Sequence, residues 1–97
     1  MNKEIRRMRR WTGVFRALAN INRLKIIEML AQGKRMNVSE ITRELKISFK
    51  ATSNHLAILK NLGVLESEGA AGHVFYFLNQ RVPREFRAAL KLFLKRA

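Results

Sequence analysis

Residues 48–62 read SFKATSNHLAILKNL and are followed by Gly63, and these fifteen residues restrict the fold more than any other stretch of the chain. Ser48 is a good helix N-cap, and the apolar or small residues Thr52, Leu56, Leu59 and Leu62 recur at helical spacing. Gly63 stands where a left-handed residue closes a helix. The pattern predicts a helix over residues 48–62 with one side buried. Its other side shows Lys50, Ser53, Asn54, Ala57 and Asn61, and no carboxylate lies between Ser48 and Gly63. A solvated helix face ordinarily mixes Glu with Lys. A face without acids suits the major groove of DNA, with a plain polar surface as the alternative reading of the stretch taken alone.

Just upstream, Asn37 followed by Glu40 three residues later makes a capping-box pattern, with Asn in place of the usual Ser or Thr. Ile41 and Leu45 give the short helix it opens a buried turn. Lys46, Ile47 and Ser48 then form a brief connection with an apolar plug. Two short helices joined in this way, the second polar on its outer face, make a helix-turn-helix, here without the Gly that its turn often contains. Downstream, residues 64–68 and 73–78 are strand-like in their β-branched and aromatic content, and Gly69-Ala70-Ala71-Gly72 forms the turn between them. A hairpin directly after such a helix makes a winged helix-turn-helix. The expected fold is mainly α with a small β-hairpin: about five helices plus a two-stranded antiparallel wing.

The ends complete the helix count. Residues 4–19 read as an amphipathic helix with Ile5, Met8, Trp11, Phe15 and Leu18 spaced at three or four, and Lys3, Arg6, Arg7, Arg9 and Arg10 interleaved. Trp11 anchors it to the core or to a partner chain. A basic amphipathic helix also suits an anionic membrane surface, but the same stripe is what a first core or dimer helix needs. Asn20 is placed to cap a second helix over residues 21–32, with Leu24, Ile27 and Leu30 inward, Ile26 and Met29 widening the stripe, and Gly33 ending it. After Asn79, Gln80 and Pro83, residues 84–96 form a last helix whose Phe86, Leu90, Phe93 and Leu94 make a broad apolar face. So much apolar surface on a terminal helix points to a partner chain, with packing on its own core as the alternative.

Ninety-seven residues make one domain, 1–97, with a single core. Twenty Lys or Arg against seven acids, all Glu, give a formal charge of +13, for which a polyanion is the natural partner, nucleic acid ahead of an acidic membrane. The absence of Cys removes disulfides, thiolate metal ligands and thiol redox switches. The basic start MNKEIRRMRR resembles the first region of a signal peptide, but Arg16 breaks the apolar stretch after it, and a cytoplasmic protein is expected. No run approaches the roughly 18 apolar residues of a bilayer span, so no membrane partner is expected. With no Asp, no Cys and no His paired with a carboxylate at catalytic spacing, the chain is not expected to be an enzyme or to need a cofactor.

Ala17-Leu18-Ala19-Asn20 with Arg23-Leu24, then Val38-Ser39-Glu40-Ile41, then Ser53-Asn54-His55-Leu56 with Leu59, and last Gly63-Val64-Leu65 with Phe75-Tyr76 stand in an order and spacing that resemble the ArsR-type winged-helix transcriptional repressors. The resemblance covers residues 16–79, about two thirds of the chain. It implies an obligate homodimer built on the terminal helices 4–19 and 84–96, with Met8, Trp11, Phe15, Phe86, Leu90 and Phe93 at the interface. Two recognition helices would enter successive major grooves of an inverted repeat, about 34 Å apart. Many members sense metal through a Cys-Val-Cys-Asp/Glu-Leu segment, where this chain has Asn37-Val38-Ser39-Glu40-Ile41. Others hold zinc through carboxylate and His ligands in the last helix, where this chain offers only Glu85. The familiar metal sites are therefore expected to be absent. His55 reads as a packing or hydrogen-bonding residue, and His73 lies on a different element. The family often carries Arg at the wing tip, whereas this wing is flanked by Glu66 and Glu68 and is expected to contribute little.

Residues 1–47 carry 12 bases and 4 acids, residues 48–78 carry 2 and 2, and residues 79–97 carry 6 and 1, so the nominal reading unit is neutral. Affinity for double-stranded DNA must then come mostly from the flanks, and sequence choice from a few side chains. Asn54 suits adenine, Lys50 suits guanine acceptors, Ser53 a base or phosphate, and Ala57 a thymine methyl. Arg43, Lys46, Ser48, Thr52 and Lys60 are the candidates for the DNA backbone. Two other readings stand beside this one. The charge alone fits a non-specific DNA or RNA binder, and the neutral middle fits a winged-helix protein-interaction module that has lost DNA binding.

Overall fold

Four polar side chains start four of the five helices. In the computed structural model, which describes residues 2–95, Asn2 Oδ1 accepts the Ile5 N–H at 2.8 Å and opens α1 (Lys3–Leu18). Asn20 accepts from Asn22 and Arg23 and opens α2 (Ile21–Met29). Asn37 and Glu40 form the complete reciprocal capping box of α3 (Val38–Leu45), each side chain accepting the other residue's N–H at 2.9 Å. Ser48 Oγ accepts the Ala51 N–H at 3.0 Å and opens α4 (Phe49–Asn61). Each cap satisfies backbone donors that the helix itself leaves free, typically stabilising it by about 1 kcal/mol. The fifth helix, α5 (Arg84–Leu94), follows Pro83 without a side-chain cap. Arg96, the expected last residue of that helix, lies outside the described residues.

The helix-turn-helix turn has no Gly because Lys46 itself takes the left-handed conformation, φ 58° and ψ 40°, and donates its N–H to the Thr42 carbonyl at 2.9 Å. The second helix is shorter than its periodicity predicts. It ends at Met29 because Gln32 as well as Gly33 has positive φ, 62° and 76°, which a right-handed helix does not accept.

The wing strands β2 (Leu65–Ala70) and β3 (His73–Leu78) pair antiparallel from Leu65↔Leu78 to Ala70↔His73. Gly69 and Ala70, read as turn from the sequence, belong to the strand. The turn is only Ala71-Gly72, both at positive φ (53° and 79°), which suits the right-handed twist of a two-residue hairpin. A third strand that periodicity could not reveal, β1 (Met36–Asn37), pairs with β3 through Met36↔Tyr76 and Asn37↔Phe75, giving the sheet order β1-β3-β2. The capping residue of α3 is thus also a sheet residue, and the helix-turn-helix is tied directly to the wing. Gly63, at φ 78°, closes α4 with its N–H on the Lys60 carbonyl, and Asn79 Nδ2 donates to the Gly63 carbonyl at 2.9 Å.

One core joins all of these elements: Ile26, Ile27 and Leu30 of α2, Ile41 and Leu45 of α3, Leu56 and Leu59 of α4, Val64 and Leu65, and Phe86 and Leu90 of α5. The first helix contributes Val14 and Ala17 to it, whereas Ile5, Met8 and Phe15 of the expected apolar stripe are 41%, 53% and 63% exposed. The fully buried residues there are small, Trp11 and Leu18 pack against the core while only partly buried, and Ile5, Met8 and Phe15 stay uncovered. No helix among the described residues is long and apolar enough to cross a membrane.

Candidate nucleic-acid interface

The second helix of the helix-turn-helix is fixed from below by Thr52, Leu56 and Leu59, all fully buried. This leaves Lys50, Asn54 and Ala57 exposed and Ser53 half-buried on the outer side. These four, with Ser48 and Ala51, line one shallow open depression of about 620 Å³. All four residues expected to read bases therefore share a surface, on a helix pinned by its cap, its core face and its closing glycine.

The expected backbone contacts divide. Arg43 and Lys46, at the end of α3, and Ser48, at the start of α4, are exposed. Thr52 is a correction: it is fully buried, and its hydroxyl donates to the Ser48 carbonyl at 3.0 Å, so it cannot reach a phosphate. Its role is to lock the first turn of α4. Lys60 Nζ donates to Ser67 Oγ at 2.6 Å, bridging α4 to the inner side of the wing. Leu62, placed on the buried stripe by spacing, is 36% exposed, because the stripe leaves the core at the last turn.

The dimer residues divide as well. Phe86 and Leu90, at 5% and 6% exposure, belong to the protomer's own core and are not free for a partner. Met8, Phe15 and Phe93 are exposed and Trp11 is half-buried, its ring 5.6 Å from that of Phe15. Trp11, Phe15, Leu24, Ala88, Leu92 and Phe93 line an apolar groove where α1, α2 and α5 meet. Leu92, 76% exposed, was missed by periodicity. The signal was the run Leu90-Lys91-Leu92-Phe93-Leu94, whose apolar residues are too many for one helix face.

Sequence reasoning also missed Arg35. Its guanidinium meets the Glu68 carboxylate at 2.8 Å and lies 4.2 Å from the centre of the Phe77 ring, so the wing, which has no Arg of its own, borrows one from the connection before β1. No local pattern could have found it, since 33 residues separate the pair.

His55 is half-buried on α4 and its Nδ1 has no hydrogen-bond partner. Burial and then the Arg23 charge hold its pKa below the ordinary histidine value, so the neutral form is favoured in the fold. Of the two roles read from sequence, packing is the one its Nδ1 fits. His73, exposed at the wing, packs edge-on against Phe75 at 6.2 Å. Among the described residues no three His, Cys, Asp or Glu are grouped to hold a metal ion. The segment where the resemblance implied cysteine ligands instead holds the Asn37 and Glu40 capping box. Glu85, at the start of α5, accepts from Arg10 of α1 at 3.3 Å, and its pKa is lowered first by its own backbone N–H and then by Arg10.

Residues 20–67 match the family described as bacterial regulatory protein, arsR family. The cadmium resistance transcriptional regulatory protein CadC of Listeria innocua is 37% identical over 67 residues, 69% of this chain and 56% of CadC, so the chain spans little more than half of that relative. The transcriptional repressor SdpR of Bacillus subtilis is 33% identical over 69 residues, 71% of this chain and 76% of SdpR. The transcriptional activator HlyU of Vibrio cholerae is 34% identical over 79 residues, 81% of this chain and 69% of HlyU. The solved structure of reduced HlyU superimposes with a TM-score of 0.74 at 32% identity, over 94% of this chain and 93% of HlyU.

Proposed function

Because the chain belongs to the ArsR family of bacterial regulatory proteins, we propose that it is a sequence-specific, double-stranded DNA-binding transcriptional regulator, a homodimeric repressor that reads an inverted repeat with α4 in the major groove. The observation that carries this reading is the depression on α4, where Lys50, Ser53, Asn54 and Ala57 converge on a helix face without a carboxylate. The groups are complementary to base edges: an amide for adenine, an ammonium for guanine and a methyl for thymine.

The terminal helices α1 and α5 supply the dimer contact in this proposal, through Met8, Trp11, Phe15, Leu92 and Phe93. An uncovered apolar groove beside exposed Phe15 and Leu92 is what a two-fold contact would remove from water. Two α4 helices would then stand about one DNA turn apart. Affinity comes from Arg43, Lys46 and the basic flanks, and repression from covering the DNA that polymerase needs. The protein acts in the cytoplasm, without a bound metal or other cofactor.

Selection from random duplex DNA, with the oligomeric state measured in the same buffer, tests the whole reading. The expected result is an enriched palindrome bound by a dimer. Binding without sequence preference supports the non-specific alternative. No binding at physiological salt supports the protein-interaction alternative, which the neutral charge of residues 48–78 favours.

A further inference from the structure

Phe49 is the first residue of α4, and it is 58% exposed. Helical spacing alone would bury it, because Leu56, two turns on and at nearly the same angular position, is fully buried. Residues 48–50 are all exposed, and Thr52 is the first buried residue of α4, so the core meets the helix only after Phe49. The ring is therefore presented to solvent between polar neighbours, Ser48, Lys50 and, one turn on, Ser53. It does not line the apolar groove of α1, α2 and α5, so a partner at that groove does not account for it.

The inference rests on the proposed entry of α4 into the major groove. Side chains at the N-terminal end of a groove-bound helix lie nearest the base edges. A phenyl ring has no hydrogen bond to exchange there, and the apolar feature of the major-groove edge is the 5-methyl group of thymine. We propose that Phe49 is a specificity-determining residue that reads a thymine by packing its ring on that methyl, beside the base reached by Ser53, its neighbour one helical turn on. The position is suited to this role because the ring is already uncovered: contact with DNA removes its apolar surface from water without opening the fold.

The test uses the full chain and an operator obtained by random-sequence selection. Each thymine is replaced singly by deoxyuridine, which keeps base pairing and removes only the methyl, and affinities are measured by fluorescence anisotropy at one salt concentration. Wild-type protein should lose about fourfold at one position per half-site besides the one assigned to Ala57, the scale expected for one buried methyl-sized group. Phe49→Ala should bind the thymine operator more weakly and no longer distinguish thymine from uracil there, while Phe49→Leu keeps part of the preference. Wild-type indifference to every thymine methyl overturns the assignment, as does full discrimination by Phe49→Ala, and both results leave operator binding itself intact. Failure to enrich any sequence overturns the proposed function as well, which separates the two.

Discussion

Arg35 and Glu68 form an ion pair at 2.8 Å that joins the connection before β1 to the outer strand of the wing, with the Phe77 ring beside the guanidinium. Both side chains are substantially exposed, at 42% and 63%, so the pair itself stabilises the fold by no more than about 1 kcal/mol. Its larger consequence is electrostatic, because Arg35 offsets one of the two wing carboxylates. Arg35→Ala should leave thermal stability nearly unchanged and weaken DNA binding most at low salt. A melting temperature that falls steeply, or a loss of affinity that is the same across a salt titration, would contradict this.

Base reading and phosphate holding are assigned to different residues, and their substitutions should behave differently. Asn54→Ala should cost roughly 1–3 kcal/mol at one base position and relax preference there. Lys46→Ala should weaken all sequences alike and flatten the salt dependence by about one unit of slope. Equal loss on every sequence for Asn54→Ala would remove the adenine assignment.

Protonation of His55 couples acidity to stability. Its folded pKa lies below the ordinary value, with burial the larger cause and Arg23 the second. The unfolded chain therefore takes up the proton first as pH falls. Stability should be full above about pH 6.5 and decline below it, through the interval down to the lowered folded pKa. Urea midpoints between neutral and mildly acidic pH should show this decline in the wild type and a shallower one in His55→Gln.

Two apolar residues of α5 should give opposite phenotypes. Leu92→Glu, at a site that is 76% exposed, should leave a folded monomer that binds operator DNA poorly. Phe86→Ala, at a site only 5% exposed, should destabilise the fold by about 3–5 kcal/mol through the cavity it leaves. Sedimentation and chemical denaturation of both variants distinguish the roles, and a stable dimer of Leu92→Glu would exclude this face as the interface.

Local signals determined most of this architecture. Asn20, Asn37 with Glu40, Ser48 and Gly63 act through hydrogen bonds to backbone groups a few residues away, so their effect is legible in the chain itself. The burial of Leu56 and Leu59 follows from helical period, and the four base-reading candidates follow from what that period leaves outside. Tertiary structure alone decided matters in which two local solutions were equally good or the partner was distant. The first helix has both a large apolar stripe and a small one, and the core took Val14 and Ala17 because a close-packed interior selects by shape and volume as well as by hydrophobicity. The last helix has more apolar residues than one face can hold, and only packing separated buried Phe86 and Leu90 from exposed Leu92. Strand β1 exists because β3 was available to pair with it, across the 40 positions between Met36 and Tyr76 in the register. The roles of Thr52 and Arg35 were decided in the same way: burial took the hydroxyl away from the surface, and the fold carried a distant cation to the wing.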